Sequence, residues 1–335
     1  MLKVVFVNIS KDRIDLALEL EADRMQNLLV DPKEFELERD VVKEERRLRT
    51  DDDPQSLVVE HLFATAFMVH PYHSPTIGWM TDLNNLIRDD VYEFYKKYYA
   101  PNNATLVIVG DIDPKTLLPR IKKTFGKAPR GPAVPPLKIT EPEQSGDRRF
   151  TIKKEAQLPF VFAGFRTPHY VNRDSYALSI LANILSAGKS SRLYRSLVYE
   201  QKLALSAGGD YDGLSTDPDL FYFYGVPMPG KPIEDLERAI FAEVARLKTE
   251  PVSERELEKA KNQVAASFIF GLDSNFFRAM QIGQAETVGA GYQYPDSYVE
   301  EIRKVTREDI QRVAKTYLLD NRQTVGILIP LPPKE

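Results

Sequence analysis

One stretch of this chain occurs twice at a fixed spacing, and that repetition constrains the fold more than any other feature. Arg88-Asp89-Asp90-Val91 runs through Tyr98 to Ala104-Thr105-Leu106-Val107-Ile108-Val109. Arg307-Glu308-Asp309-Ile310 runs through Tyr317 to Gln323-Thr324-Val325-Gly326-Ile327-Leu328 without a gap. Arg88 and Arg307, Asp90 and Asp309, Lys96 and Lys315, Tyr98 and Tyr317, and Thr105 and Thr324 are identical pairs 219 residues apart (307 less 88). Each copy reads as an amphipathic helix followed by a buried strand, so the chain is expected to hold two homologous α+β domains. Pro129, Pro132, Pro135, Pro136, Pro142 and Gly146 mark an extended linker, because proline removes backbone donors and stiffens the chain. The expected division is residues 1–127, a linker at 128–147, and residues 148–335.

The same offset measures the first copy. The second copy begins near Arg148, so its partner is expected to begin about seventy residues before Met1. Met1-Leu2-Lys3 runs at once into Val4-Val5-Phe6-Val7, a strand-like opening with no signal peptide or polar lead-in. The first domain is therefore expected to be truncated, with any export signal lost alongside.

Apolar spacing predicts a strand at 3–8 and helices near 13–30, 32–49, 55–69 and 88–99. A strand at 104–110 and a helix near 114–125, opened by Asp113-Pro114, follow. Beyond the linker, strands are expected near 149–155, 158–166, 203–212, 218–227 and 323–329. Helices are expected there near 173–187, 190–201, 232–248, 253–270, 274–289 and 306–318.

Composition excludes several classes. Hydrophobic residues at 43% and charged residues at 28% are ordinary globular usage, against a disordered or collagenous chain. A net charge of −4 offers no basic field for phosphate backbones, so nucleic acid is not an expected partner. The chain has no cysteine, which removes disulfides, thiolate nucleophiles and Cys-ligated metals but says nothing of compartment. Its longest apolar runs are strand-length, so no membrane span is expected and the protein reads as soluble.

Few residues suggest chemistry on their own. His70-Pro71-Tyr72-His73 could pair imidazoles on a metal, but a proline-shaped turn with surface histidines is the simpler expectation. His61 reads as a solvated or satisfied helix histidine. Glu38-Arg39-Asp40-Val41-Val42-Lys43-Glu44-Glu45 places Glu38 and Glu45 on one helical face, with Val42 one turn from each and Leu37, Val41 and Leu48 bordering the stripe. Two carboxylates beside an apolar stripe either pair with Arg39, Arg46 or Arg49, or serve a metal site. No glycine-rich phosphate loop is present, and Ser190-Ser191 look like helix-capping residues.

Several motifs occur in a familiar order: Ala22-Asp23-Arg24-Met25, the Glu38–Glu45 segment, Pro75-Thr76-Ile77-Gly78-Trp79, Tyr98-Tyr99-Ala100-Pro101-Asn102-Asn103 and Val109-Gly110-Asp111. Together they resemble the pitrilysin/insulinase family of inverzincin zinc metallopeptidases, close to its mitochondrial-processing-peptidase-like branch. Gly188-Lys189-Ser190-Ser191-Arg192-Leu193-Tyr194 resembles the family's second-domain signature. The resemblance spans essentially the whole chain.

It implies zinc as cofactor, extended peptides as substrates, and catalysis by an His-x-x-Glu-His helix whose histidines bind the metal. That motif is absent here and is expected about thirty residues before Met1. The resemblance makes Glu45 the third metal ligand and Glu38 its supporting acid. It also implies a substrate-gripping arginine and tyrosine, seven apart, where this sequence has Val198 and Leu205. An aliphatic pair donates no hydrogen bond to a carbonyl. The resemblance then implies a zinc-bearing subunit whose arginine and tyrosine come from a homologous partner chain, or else a non-catalytic scaffold. The 335 residues alone are expected neither to retain zinc nor to cleave peptides.

Overall fold

The computed structural model describes residues 3–332. In chain order the helices begin with α1 (Ile14–Asn27), α2 (Pro32–Arg46), α3 (Pro54–Ala66), α4 (Met80–Asn85), α5 (Arg88–Tyr98) and α6 (Pro114–Thr124). They continue with α7 (Asp174–Ser186), α8 (Ile233–Thr249), α9 (Glu254–Gly271), α10 (Asn275–Val288), α11 (Tyr294–Lys304) and α12 (Arg307–Tyr317). The strands are β1 (Arg148–Glu155), β2 (Phe160–Thr167), β3 (Ala204–Tyr211), β4 (Asp219–Pro227) and β5 (Gln323–Leu331). The fold is α+β, as the repeat predicts.

The chain forms two compact units. The first comprises the residues up to Arg46, Thr76–Lys138 and Gly271–Tyr292; the second comprises Arg47–Pro75, Ile139–Phe270 and the residues from Gln293 on. The repeat is visible in the helices. α1 and α8 begin at Ile14 and Ile233, α5 and α12 span Arg88–Tyr98 and Arg307–Tyr317, and 3₁₀ turns follow at Pro101–Asn103 and Asp320–Arg322. Each of these pairs stands 219 residues apart (307 less 88). Helix α3 belongs to the second unit and α10 to the first, so each unit takes one helix from the other copy's stretch of chain.

The second unit is built on a sheet of order β1-β5-β2-β4-β3, with β1 parallel to β5 and every other pair antiparallel. Phe162 of β2 lies opposite Gly326 of β5 on one side and Tyr224 of β4 on the other. A central strand covered on both faces reads as a continuous apolar run, which explains the buried Phe160-Val161-Phe162-Ala163-Gly164-Phe165. On one face Phe165, Phe221 and Phe223 pack with Leu178, Leu181 and Leu185 of α7 and Leu236 of α8. On the other, Val58, Leu62 and Ala66 of α3 pack on Phe160, Phe162, Leu220 and Leu328. Gly326 is required there, since a Cβ would sit 2.3 Å from the Phe150 ring. Edge strand β1 alternates half-buried residues with exposed Arg149, Thr151, Lys153 and Glu155, and the three charges among these discourage further pairing.

The first unit has a small core, Ile14, Leu18 and Leu117, with Ile108, Ile112, Ile121 and Phe125 packed against it. Here the structure corrects the expected strands. Residues 3–8 and 104–110 join no ladder among the described residues. Their apolar residues favour an extended backbone, but a strand exists only when a neighbour takes up its N–H and C=O groups. Two further differences are local. The helix expected near 190–201 has a π-type turn over Tyr194–Glu200, with Gln201 N–H bonding Ser196 carbonyl at 2.9 Å. Helices α4 and α11 lie outside the expected set; α4 is only six residues long, whereas Tyr294, Tyr298 and Ile302 of α11 do recur at helical spacing.

Candidate functional site

Helix α2 carries the two candidate carboxylates. Asp31 caps it, its Oδ1 accepting from Lys33 N–H at 2.8 Å, and Phe35 anchors its first turn in the interior. Three basic side chains of α2 make contacts of their own. Arg39 donates to the Leu86 carbonyl at 2.9 Å and pairs with Glu36, while Lys43 lies 3.3 Å from Asp40. Arg46, buried, donates to the Gly78 carbonyl at 2.8 Å and lies over the Trp79 ring at 5.7 Å. The Gly78-Trp79 motif is thus a clamp on the end of α2, its turn made by Gly78 at φ 85°.

Glu38 and Glu45 stand two turns apart on one side of this helix, as their spacing predicts. Glu45 is half-buried, Glu38 is exposed, and Leu37 and Val41 beside them are 63% and 58% exposed. Glu38 makes no ion pair among the described residues, since Arg39 turns to Glu36. No cluster of three His, Asp or Glu side chains suited to a metal occurs among the described residues. A catalytic zinc needs about three protein ligands, so the residues present do not by themselves fit the metal that the resemblance implies.

The histidines do not converge. His61 lies on α3 with its ring centroid 6.0 Å from that of Phe150, and His73 sits on the 3₁₀ turn Pro71–His73. His169 Nδ1 lies 2.9 Å from the Ser215 carbonyl. The turn at Pro71 is present as expected, but His70 is not a surface residue: it is 5% exposed. Its Nδ1 accepts from Tyr72 N–H at 3.3 Å and its Nε2 lies 3.3 Å from Asp217 Oδ2. Glu141 from the proline-rich segment accepts from the backbone N–H groups of Met68, Val69 and His70 at 2.7, 2.9 and 2.9 Å. Burial pushes the nearby Asp219 carboxyl up to about 6, with His70 opposing the rise. Sequence reasoning missed this cluster because Asp217 and Asp219 approach His70 only through the tertiary fold.

Val198 packs half-buried against the core of the second unit, and Leu205 is 45% exposed at the start of β3, beside a bulge between Ala204 and Ser206. Both side chains are hydrocarbon and donate no hydrogen bond.

Comparison with known proteins places this geometry in a family of peptidases. A family model described as the peptidase M16 inactive domain matches residues 85–264. The zinc protease PqqE of Helicobacter pylori is 33% identical over 328 residues, covering 97% of this chain and 73% of that protein. An uncharacterized zinc protease of Mycobacterium leprae is 28% identical over 332 residues, covering 98% of this chain and 74% of the relative. The crystal structure of a protease from Helicobacter pylori superposes with a TM-score of 0.92 at 33% identity, over 96% of this chain and 78% of that one. A peptidase M16 inactive domain from Pseudomonas fluorescens shares the fold at a TM-score of 0.85 and 18% identity, over 97% of this chain and 77% of that one. The chain belongs to the M16 peptidase family. The matched stretch described as inactive begins at residue 85 and does not include Glu38 or Glu45. No helix among the described residues is long and apolar enough to cross a membrane.

Proposed function

We propose that this chain is the zinc-side type of M16 subunit, acting on extended peptides together with a homologous partner chain. In this reading residues 1–127 and 148–335 are homologous domains joined by the linker at 128–147. Glu45 is a metal ligand beside two histidines of an His-x-x-Glu-His helix, a motif absent from these 335 residues, and Glu38 holds the geometry of that site. The partner supplies the arginine and tyrosine that Val198 and Leu205 replace. The observation that carries the reading is the seven-residue spacing that sets Glu38 and Glu45 on one side of α2. Relatives named zinc proteases support it.

A second reading, a non-catalytic scaffold or partner subunit, is favoured by one observation: the aliphatic pair Val198 and Leu205. The experiment that separates them joins the chain to an M16 segment bearing the His-x-x-Glu-His helix. It then measures zinc content and quenched-peptide cleavage with and without a homologous subunit carrying the arginine–tyrosine pair. Zinc retention with partner-dependent, chelator-sensitive cleavage is expected; zinc-free protein, or zinc without cleavage in the pair, supports the scaffold.

A further inference from the structure

Helices α1 and α6 of the first unit pack together through Ile14, Leu18 and Leu117, with Ile121 and Phe125 beside them. Each helix carries a row of charges next to this apolar seam. On α1 the row is Asp15, Glu19 and Asp23, four residues apart and therefore on one face. On α6 and the 3₁₀ turn Phe125–Lys127 that continues it, the row is Arg120, Lys123 and Lys127, three and four residues apart. All six side chains line one groove of about 470 Å³, so one wall is acidic and the other basic.

The two walls hardly neutralise each other. The first rung is bridged, Arg120 Nη2 lying 2.6 Å from Asp15 Oδ1. Asp23 accepts from its helix neighbour Asn27 at 2.7 Å, a neutral partner that leaves the carboxylate charge in place. Glu19, Lys123 and Lys127 make no ion pair or side-chain hydrogen bond among the described residues. Gln26 sends its amide N–H to the Ala22 carbonyl at 2.9 Å, which leaves its amide oxygen as a further acceptor in the groove.

Unpaired charges of both signs in one groove suit one kind of occupant. A simple anion is attracted by the basic wall and repelled by the acidic one, and a simple cation the reverse. A molecule bearing both signs is attracted by both. Its cation is a primary ammonium, because the acidic wall offers hydrogen-bond acceptors and no aromatic ring lines the groove to receive a quaternary one. Successive carboxylates along α1 stand about 6 Å apart at 1.5 Å per residue. The two charges of a free amino acid share one carbon, whereas two or three extended residues separate their termini by about 7–10 Å. The peptide, not the amino acid, has the reach to join different rungs.

We propose that the groove between α1 and α6 binds a short peptide of two or three residues with both termini free, its ammonium on Glu19 and Asp23 and its carboxylate on Lys123 and Lys127. Binding is salt-sensitive, since these charges keep contact with water. This inference does not depend on the zinc reading.

The test titrates trialanine with free termini into the full chain by calorimetry, at low salt and at about 0.5 M salt. Saturable one-to-one binding that weakens with salt is expected. N-acetyl-trialanine and trialanine amide, each lacking one terminal charge, are expected to bind at least about fivefold more weakly. These capped peptides leave the protein unaltered, so folding is not at issue. Glu19→Gln and Lys123→Gln should each weaken trialanine binding by about threefold or more, while Lys122→Gln, at an exposed lysine of α6 outside the groove, should bind as the parent does. Absence of saturable binding, equal binding of either capped peptide, or parent-like binding by either Glu19→Gln or Lys123→Gln would overturn the proposal.

Discussion

Arg88 donates its Nε–H to the carbonyl of Val30 at 2.8 Å, and Arg307 makes the same bond to the carbonyl of Val252 at 2.5 Å. In each copy the first arginine of a helix fastens the valine that precedes another helix, α2 or α9. Asp90 and Asp309 repeat as well, each accepting from the backbone N–H three residues earlier, at 3.1 and 3.0 Å. The repeat is thus carried by interactions that hold corresponding turns, and not only by apolar spacing. Arg307→Ala is expected to cost about 1.5–3 kcal/mol, the usual range for a bond with a charged partner. Arg307→Lys should recover part of it. Urea unfolding of the two variants measures both; an unchanged midpoint for Arg307→Ala would mean that the bond is idle.

The pair Arg192–Glu256 is expected to govern acid stability of the second unit. Hydrogen bonds from Arg192, at 2.8 and 3.1 Å, hold the Glu256 carboxyl down at about 2. A depressed folded value means that the stabilisation is present above the ordinary carboxylate range and is lost as pH falls from about 4.5 towards 2. Glu256→Gln should therefore lose about 1–2 kcal/mol at pH 7, less than a fully buried pair because Glu256 stays partly wet. At pH 2 the variant and the parent should unfold alike. Equal stability at pH 7 would contradict this account.

Asp219 is expected to act in the opposite sense. Burial raises its folded value to about 6, so the folded protein binds a proton more readily than the unfolded chain between about pH 4 and 6. Stability from this group falls as pH rises through that window. Asp219→Asn should then raise the melting temperature at pH 7.5 by several degrees and leave it nearly unchanged at pH 4. Thermal scans at the two pH values check it; a destabilised variant at pH 7.5 would show that the carboxylate is needed charged.

The two units should differ in their tolerance of truncated aromatics. Phe223 is 1% exposed in the sheet core, and Phe223→Ala is expected to cost about 3–5 kcal/mol. Phe6 is 63% exposed, and Phe276 is the one aromatic ring it meets among the described residues, so Phe6→Ala should cost under about 1 kcal/mol. Denaturant midpoints distinguish the two; a large loss from Phe6→Ala would mean that residues 3–8 are already packed.

The elements that could be read from sequence are those whose stabilising partners are local or repeated. Asp113-Pro114 announces α6 because the cap and the proline act within one turn, and the Asp113 carboxylate does accept from Lys115 N–H at 3.0 Å. β2 is legible as an apolar run because both its faces are covered. Residues 3–8 have the same composition as a strand and are not one, since pairing depends on a neighbour that propensity cannot supply. The α2 face was legible from the seven-residue spacing of Glu38 and Glu45. The burial of His70 was not, because Asp217 lies 147 residues away (217 less 70) and nothing near Pro71 signals it.

The most direct test of the zinc-side assignment is the zinc stoichiometry of the chain joined to an M16 segment bearing the His-x-x-Glu-His helix, compared among the parent, Glu45→Gln and Glu44→Gln. Glu44 is the exposed neighbour on the same helix and controls for charge. The account predicts one zinc per chain in the parent and in Glu44→Gln, and at least about tenfold weaker retention in Glu45→Gln. Equal zinc retention by Glu45→Gln and the parent would contradict it.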